Sequence, residues 1–206
     1  MRDINQVFVA IRIFIFSSFL LLGCATIPQL KVNYRLPPKN DTLSGKKVTL
    51  VTEDARESTE FLTPTAYEAF KDFSGNISLS VAKDNQAPVD VGLFRPLFTV
   101  KEGFKRRLEN EGVEVEYFES GEEIKFVVIL NNFELDLVEK KWIVEMGCEV
   151  RLMKGNRFLA SQSVSGRGER IKMLGIDEAG ILVGDVFTDL INRVDIEGIF
   201  RRAKML

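Results

Sequence analysis

The side chains through which this 206-residue chain can do chemistry are two cysteines, a carboxylate and a guanidinium two residues apart, and two short basic runs. The chain has no histidine. That removes Ser-His-Asp and Cys-His nucleophiles, His-bearing zinc sites and the commonest general acid/base near neutral pH. Paired carboxylates remain as a route to glycan hydrolysis, but no Asp or Glu spacing stands apart from that of a solvated strand face. The expectation is therefore a protein that is not an enzyme, with no catalytic residue, no metal site and no cofactor. Asp54 and Arg56, at the end of an apolar β-branched run, can hold a polar ligand or pair with each other. Cys148 shares its alternating phase with Trp142, Val144 and Met146, which predicts a small buried hydrophobe. Lys105 to Arg107 and Arg201 to Lys204 can meet anionic head groups or serve as solvated helix ends.

Cys24 stands in a different setting. Arg2 and Arg12 precede the apolar run Ile13 to Leu22, and the run ends in Leu21-Leu22-Gly23-Cys24. A charged start followed by an apolar stretch of this length has the form of an export signal. With Arg12 dividing it, the run falls short of the roughly 20 apolar residues that cross a bilayer. Leu-Leu-Gly-Cys is similar to the lipobox of bacterial lipoproteins, with cleavage between Gly23 and Cys24. That similarity implies a diacylglycerol thioether on Cys24, a third acyl chain such as palmitate on its amino group, and removal of residues 1–23 as a signal peptide. Each buried CH₂ contributes about 0.8 kcal/mol, so several chains hold a protein on a membrane. Ala25 as the second mature residue, in place of an aspartate, implies delivery to the outer membrane, facing the periplasm.

Of 28 basic and 30 acidic residues, two and one lie in residues 1–23, leaving a net charge of −3 on the remainder. That balance offers no footprint for nucleic acid, and a body of this size buries one sizeable core. Residues 24–45, with Pro28, Pro37 and Pro38, read as a flexible tether that reaches on the order of 70 Å when extended. Residues 46–206 read as a single α+β domain. With Cys148 the only other cysteine, no disulfide within the mature chain is expected.

Lys46 to Thr52 reads as a first strand. In the Phe-rich stretch 57–88, Thr63-Pro64 supplies an N-cap and a proline at the first helical position, and Asn76 to Ala82 alternates as a strand. From Leu97 the period turns helical, with Thr99 as the cap, Val100, Phe104 and Leu108 on one face, and Gly112 as the stop. Val113 to Phe118 reads as a strand. In Ile124 to Val138 the inward phase switches from even to odd positions across Asn131-Asn132, the signature of a bulge. Trp142 to Leu152 alternates without interruption, and Lys154 to Arg157 turns it into an antiparallel partner, Phe158 to Gly168. Gly166 and Gly168 mark a twist or bulge there. A last helix begins at Asp177-Glu178, which suit its dipole. The fold class expected is α+β, a mostly antiparallel sheet with two helices packed on one face.

In this order of elements the chain resembles the YajG family of bacterial lipoproteins. The shared points are Gly23-Cys24-Ala25, a proline-bearing tether, a strand running into Asp54-Ala55-Arg56, Gly92 ahead of the first long helix, and Leu108 to Gly112 closing it. The Phe-rich insert between Arg56 and Gly92 departs from that pattern and leaves the sheet edge beside it open to question. The resemblance implies a lipid-anchored envelope protein with a binding or assembly role, its partners a membrane and an envelope protein or cell-wall component. In that setting a polar ligand held by Asp54 and Arg56, where they do not simply pair with each other, would be a sugar or peptide of the wall. The layout is also similar to that of the LptE lipoproteins, which implies the alternative of a subunit in lipopolysaccharide or outer-membrane assembly. A cell-wall glycan hydrolase is the third reading.

Overall fold

The computed structural model describes residues 29–71, 73–83, 86–116, 123–173 and 176–206. Gly23 and Cys24, with all of the expected signal peptide, lie outside the described residues. In order, the elements are β1 (Leu30–Arg35), β2 (Lys47–Asp54), α1 (Pro64–Ala69), β3 (Ile77–Ala82), β4 (Val89–Phe94), α2 (Pro96–Asn110) and β5 (Glu114–Glu116). There follow β6 (Ile124–Val138), β7 (Lys141–Lys154), β8 (Arg157–Ile171), α3 (Asp177–Asn192) and α4 (Ile196–Arg202).

The strands form a five-stranded sheet, β5-β2-β6-β7-β8, and a three-stranded sheet, β1-β3-β4. The architecture is α+β, but the sheets are mixed. β6-β7-β8 is an antiparallel meander and β3-β4 is antiparallel, whereas β2 runs parallel to both β5 and β6 and β1 runs parallel to β3. The expected mostly antiparallel sheet is corrected accordingly. Side-chain alternation reports which face is buried, and it is the same for either strand direction. Two short helices, α1 and α4, accompany the two long ones.

The long helices do share one face of the larger sheet. Phe104 of α2 lies against Phe126 of β6 (centroids 6.1 Å apart), and Phe187 of α3 lies against Phe133 (6.5 Å). Phe126 and Phe133 point the same way because the β6–β7 register shifts between Leu130 and Asn132, the bulge read from the change of phase. The helices approach closely at Gly103, where an added Cβ would come within 2.6 Å of Phe187 and Ile191.

The tether expected at 24–45 is not a tether from residue 30 onward. Leu30, Val32 and Tyr34 are buried in β1, and Leu36 and Leu43 are buried beyond it. β1 sits between β3 and α3. Gly180 and Gly184 of α3 let the backbones meet, since a Cβ on Gly180 would stand 2.4 Å from the Lys31 carbonyl oxygen. One turn further on, Arg35 N donates to Thr188 Oγ1 (3.2 Å), and Asn192 Nδ2 donates to Arg35 O (2.9 Å). The free edge of β1 is thus covered by helix side chains. Residues 37–43 are laced to the end of α2 by bonds from Asn110 Nδ2 to Pro37 O and from Leu43 N to Glu111 O, 3.1 Å each. The prolines suggested a tether, and the two-residue period of Leu30, Val32, Tyr34 and Leu36 was the signal that they obscured. Between Cys24 and β1 only residues 25–29 remain, a reach on the order of 20 Å.

Candidate functional site

Asp54 closes β2, and Ala55 N still donates to Leu130 O (2.9 Å), so the chain leaves the sheet with both side chains held beside it. Arg56 grips Asp54 with two parallel bonds, Nε to Oδ1 and Nη2 to Oδ2, each 2.8 Å. The Arg56 side chain is only 5% exposed and that of Asp54 is 23% exposed. The bonds from Arg56 hold the Asp54 carboxyl below the usual carboxylate range, against an opposing push from burial. Two of the guanidinium's donor nitrogens are thereby used. The third, Nη1, is buried and has no hydrogen-bond partner, a costly arrangement for a charged donor.

Arg56 and Asp54 line a cavity of about 520 Å³ together with Phe61, Tyr67, Phe73 and Phe98. Leu97, Arg95 and Glu60 border it as well. Leu97 and Phe98 open α2 behind Pro96, and its N-cap residue, Arg95, makes no capping bond with its side chain. The amides of Leu97 and Phe98 therefore have no acceptor within the helix, at the end where the helix dipole is positive. Tyr67 and Phe98 are 54% and 53% exposed, aromatic faces open to solvent beside a buried cation. The arrangement suits a ligand with an anionic or carbonyl group for the guanidinium and helix terminus, and an apolar or planar part for the rings.

The Phe-rich insert builds one wall. Leu62 bridges to Leu135, Thr63 N donates to Leu135 O (3.1 Å), and Leu135 N donates to Phe61 O (2.8 Å). These bonds continue along β6 where β2 has ended, so the insert occupies the sheet edge left open by the sequence. Thr63 caps α1, and its hydroxyl and that of Thr65 both bond to Asp136 Oδ1. Burial pushes the Asp136 carboxyl up, but these bonds and the Leu137 amide outweigh it and leave the group below its ordinary value. Phe61 packs edge-on to Phe133 (4.8 Å), and Phe70 to Trp142 (5.4 Å), which joins the insert to the main core.

The other singled-out residues have structural settings. Cys148 is 1% exposed and burial pushes its thiol up to about 12, so it is a core side chain. Arg106 bonds Glu102 (2.7 Å), Arg107 bonds Glu111 within the protein, and Arg201 bonds Glu197. The first basic run is thus paired with carboxylates along its own helix, whereas in the second only Arg201 has a carboxylate partner among the described residues, and Arg202 bonds the Ser161 carbonyl instead (3.4 Å). Gly166 and Gly168 answer to α3 instead of marking a bulge: a Cβ at Gly168 would lie 2.8 Å from Val186 and 2.9 Å from Leu182. Helix α2 begins at Pro96, three residues before the expected cap, and the Thr99 hydroxyl bonds back to Arg95 O (3.1 Å). Among the described residues, no group of three or more His, Cys, Asp or Glu is placed to hold a metal ion, and no helix is long and apolar enough to cross a membrane.

Asp54 and Arg56 were legible as a pair. Arg95, Phe98 and Tyr67 were not, because they reach the cavity from α1 and the start of α2, at no fixed spacing from β2.

The fold itself has a solved counterpart. The chain is similar to protein XCC0632 from Xanthomonas campestris, of the DUF330 family, at 15% identity and a TM-score of 0.51 over 86% of this chain and 95% of that one. A more distant likeness, with a TM-score of 0.40 and 10% identity, is to a neuraminyllactose-binding hemagglutinin homologue from Helicobacter pylori, over 82% and 91% of the two chains. No family model matches the sequence, and no curated protein does.

Proposed function

We propose that this protein is a lipoprotein anchored through Cys24 to the periplasmic face of the outer membrane, where it binds an anionic or carbonyl-bearing envelope ligand without turning it over. The observation that carries the binding role is the aromatic cavity of about 520 Å³ that Arg56 and Asp54 line and that the start of α2 also borders. The anchor rests on Leu21-Leu22-Gly23-Cys24 after an apolar run, a string similar to the lipobox of bacterial lipoproteins. Asp54, held ionised by Arg56, does not supply the protonated carboxyl that a glycan hydrolase uses as its general acid, and the chain has no histidine to take that part. Peptide fragments of the cell wall fit the chemistry, since they present free carboxylates beside apolar groups.

Two measurements test the proposal. Mass spectrometry of membrane-derived protein should find the mature chain starting at an acylated Cys24, with the Cys24→Ala chain unacylated and still carrying its leader. Titration calorimetry with soluble muropeptides should give binding that Arg56→Ala weakens at least tenfold, about 1.4 kcal/mol, with no released product. A bare Cys24 removes the anchor. Equal affinity of the wild type and Arg56→Ala removes the site, and turnover of the fragments removes the non-enzymatic reading.

A further inference from the structure

β8 is the last strand of the five-stranded sheet, with β7 on one side and, among the described residues, no strand on the other. Just past the Lys141–Ile171 pair, Lys172 N donates to Lys140 O (2.8 Å). In an antiparallel ladder this fixes the parity: from Ala160 onward, even-numbered residues turn their backbone groups toward β7 and odd-numbered residues turn theirs outward. The start of the outer edge is covered, since Arg202 Nη2 donates to Ser161 O (3.4 Å) and the Gln162 amide bridges Arg193 O and Asp195 N. Further on, the outward N–H and C=O groups of Ser163, Ser165, Arg167, Glu169 and Ile171 have no partner among the described residues. Native edges of this length are ordinarily protected by proline, a bulge or bulky charge. Here the register shift lies before Ala160, no proline is present, Ser163, Ser165, Gly166 and Gly168 put little or no side chain in the way, and the charges of Arg167, Glu169 and Arg170 are engaged by Glu145, Lys141 and Asp185 on the sheet faces.

We propose that β8 pairs antiparallel with β8 of a second copy about a twofold axis at Gly168, fusing two five-stranded sheets into one of ten strands. The charges on the outer sheet face select both the occupant and the register. Lys141 Nζ lies 3.1 Å from Glu169, and Arg167 Nη1 lies 3.0 Å from Glu145. With the axis at Gly168, Arg167 of each copy stands opposite Glu169 of the other. Each side of the axis then carries an unbroken alternating row: Lys141, Glu169, Arg167 of the second copy, Glu145 of the second copy. An axis one residue earlier sets two arginines face to face, and one residue later two glutamates. The interface is isologous, so every pairing occurs twice.

The test uses the full chain in mild detergent, by sedimentation and by energy transfer between separately labelled pools. The wild type should dimerise. Arg167→Glu and Glu169→Arg should each weaken dimerisation about tenfold, because each opposes like charges at both symmetric positions. Mixing the two variants should restore it, since in the mixed pair each position 167 faces a position 169 of opposite charge. Ser165→Pro should abolish pairing with little change in melting temperature, because the Ser165 N–H points away from β7. A wild-type chain that stays monomeric at high micromolar concentration overturns the proposal, as does a dimer indifferent to Ser165→Pro. Failure of the mixed variants to recover overturns the register.

Discussion

At the scale of single residues, the Asp54–Arg56 pair makes a pH-dependent contribution. The folded-state carboxyl titrates below its unfolded value of about 3.9. The stabilisation is therefore fully present above that value and is lost as pH falls through the lower folded one. Melting curves of the wild type and Asp54→Asn should differ at pH 6 and converge as the pH drops below about 4; a gap that widens on acidification would contradict this assignment. Cys148 gives the complementary case. With the thiol buried and pushed up to about 12, native protein should react with a maleimide only at the rate of global opening. Cys148→Ser should cost about 1–3 kcal/mol by burying a hydroxyl, read as a lowered denaturation midpoint. The core role of Cys148 was legible because one strand carried an unbroken apolar phase. The cavity beside Arg56 was not, because two exposed aromatics and an uncapped helix start leave no periodic trace.

Among the elements, the packing of β1 on α3 is the most sensitive. Ala at Gly180 would place a Cβ 2.4 Å from the Lys31 carbonyl, and a Cβ at Gly184 would lie 3.1 Å from the backbone of Asn33. Backbone cannot yield as a flexible side chain does, so Gly180→Ala should destabilise by about 1–3 kcal/mol and Gly184→Ala by less, as ranked by chemical denaturation. If Gly180→Ala matched the wild type, the close approach of strand to helix would be wrong. The meander β6-β7-β8 and the bulge at Asn131 could be read from the sequence because alternation is a local property and its phase shift is visible in one strand. Strand direction in β2 and β1 could not, since parallel neighbours lie far apart in the chain and leave the same alternation as antiparallel ones. Residues 30–45 misled for a different reason: three prolines within eleven residues outweighed four alternating apolar side chains between them.

For the molecule as a whole, α3 joins the two sheets, with β1 on one side and β7 and β8 on the other. Removing residues 30–35 should therefore do more than shorten the chain. It uncovers Gly180, Gly184 and Thr188 along α3 and deprives β3 of its parallel neighbour. A chain beginning at residue 46, the boundary the sequence suggested, should bind a hydrophobic dye and unfold without a sharp transition, whereas one beginning at residue 29 should melt cooperatively; equal melting of the two would show that β1 is dispensable. The α+β class was legible because helical and two-residue periods can each be read within a single element, whereas the pairing of distant strands cannot. The position of β1 also determines how the body would respond to being pulled. If Cys24 is the point of attachment, as proposed, the first element to take up a pull is β1, and a pull directed along it acts in line with its six-residue parallel register to β3. The rungs joining the two strands would then be loaded together in shear rather than peeled one at a time, so the attachment would be stiff where a loose leader would simply have stretched.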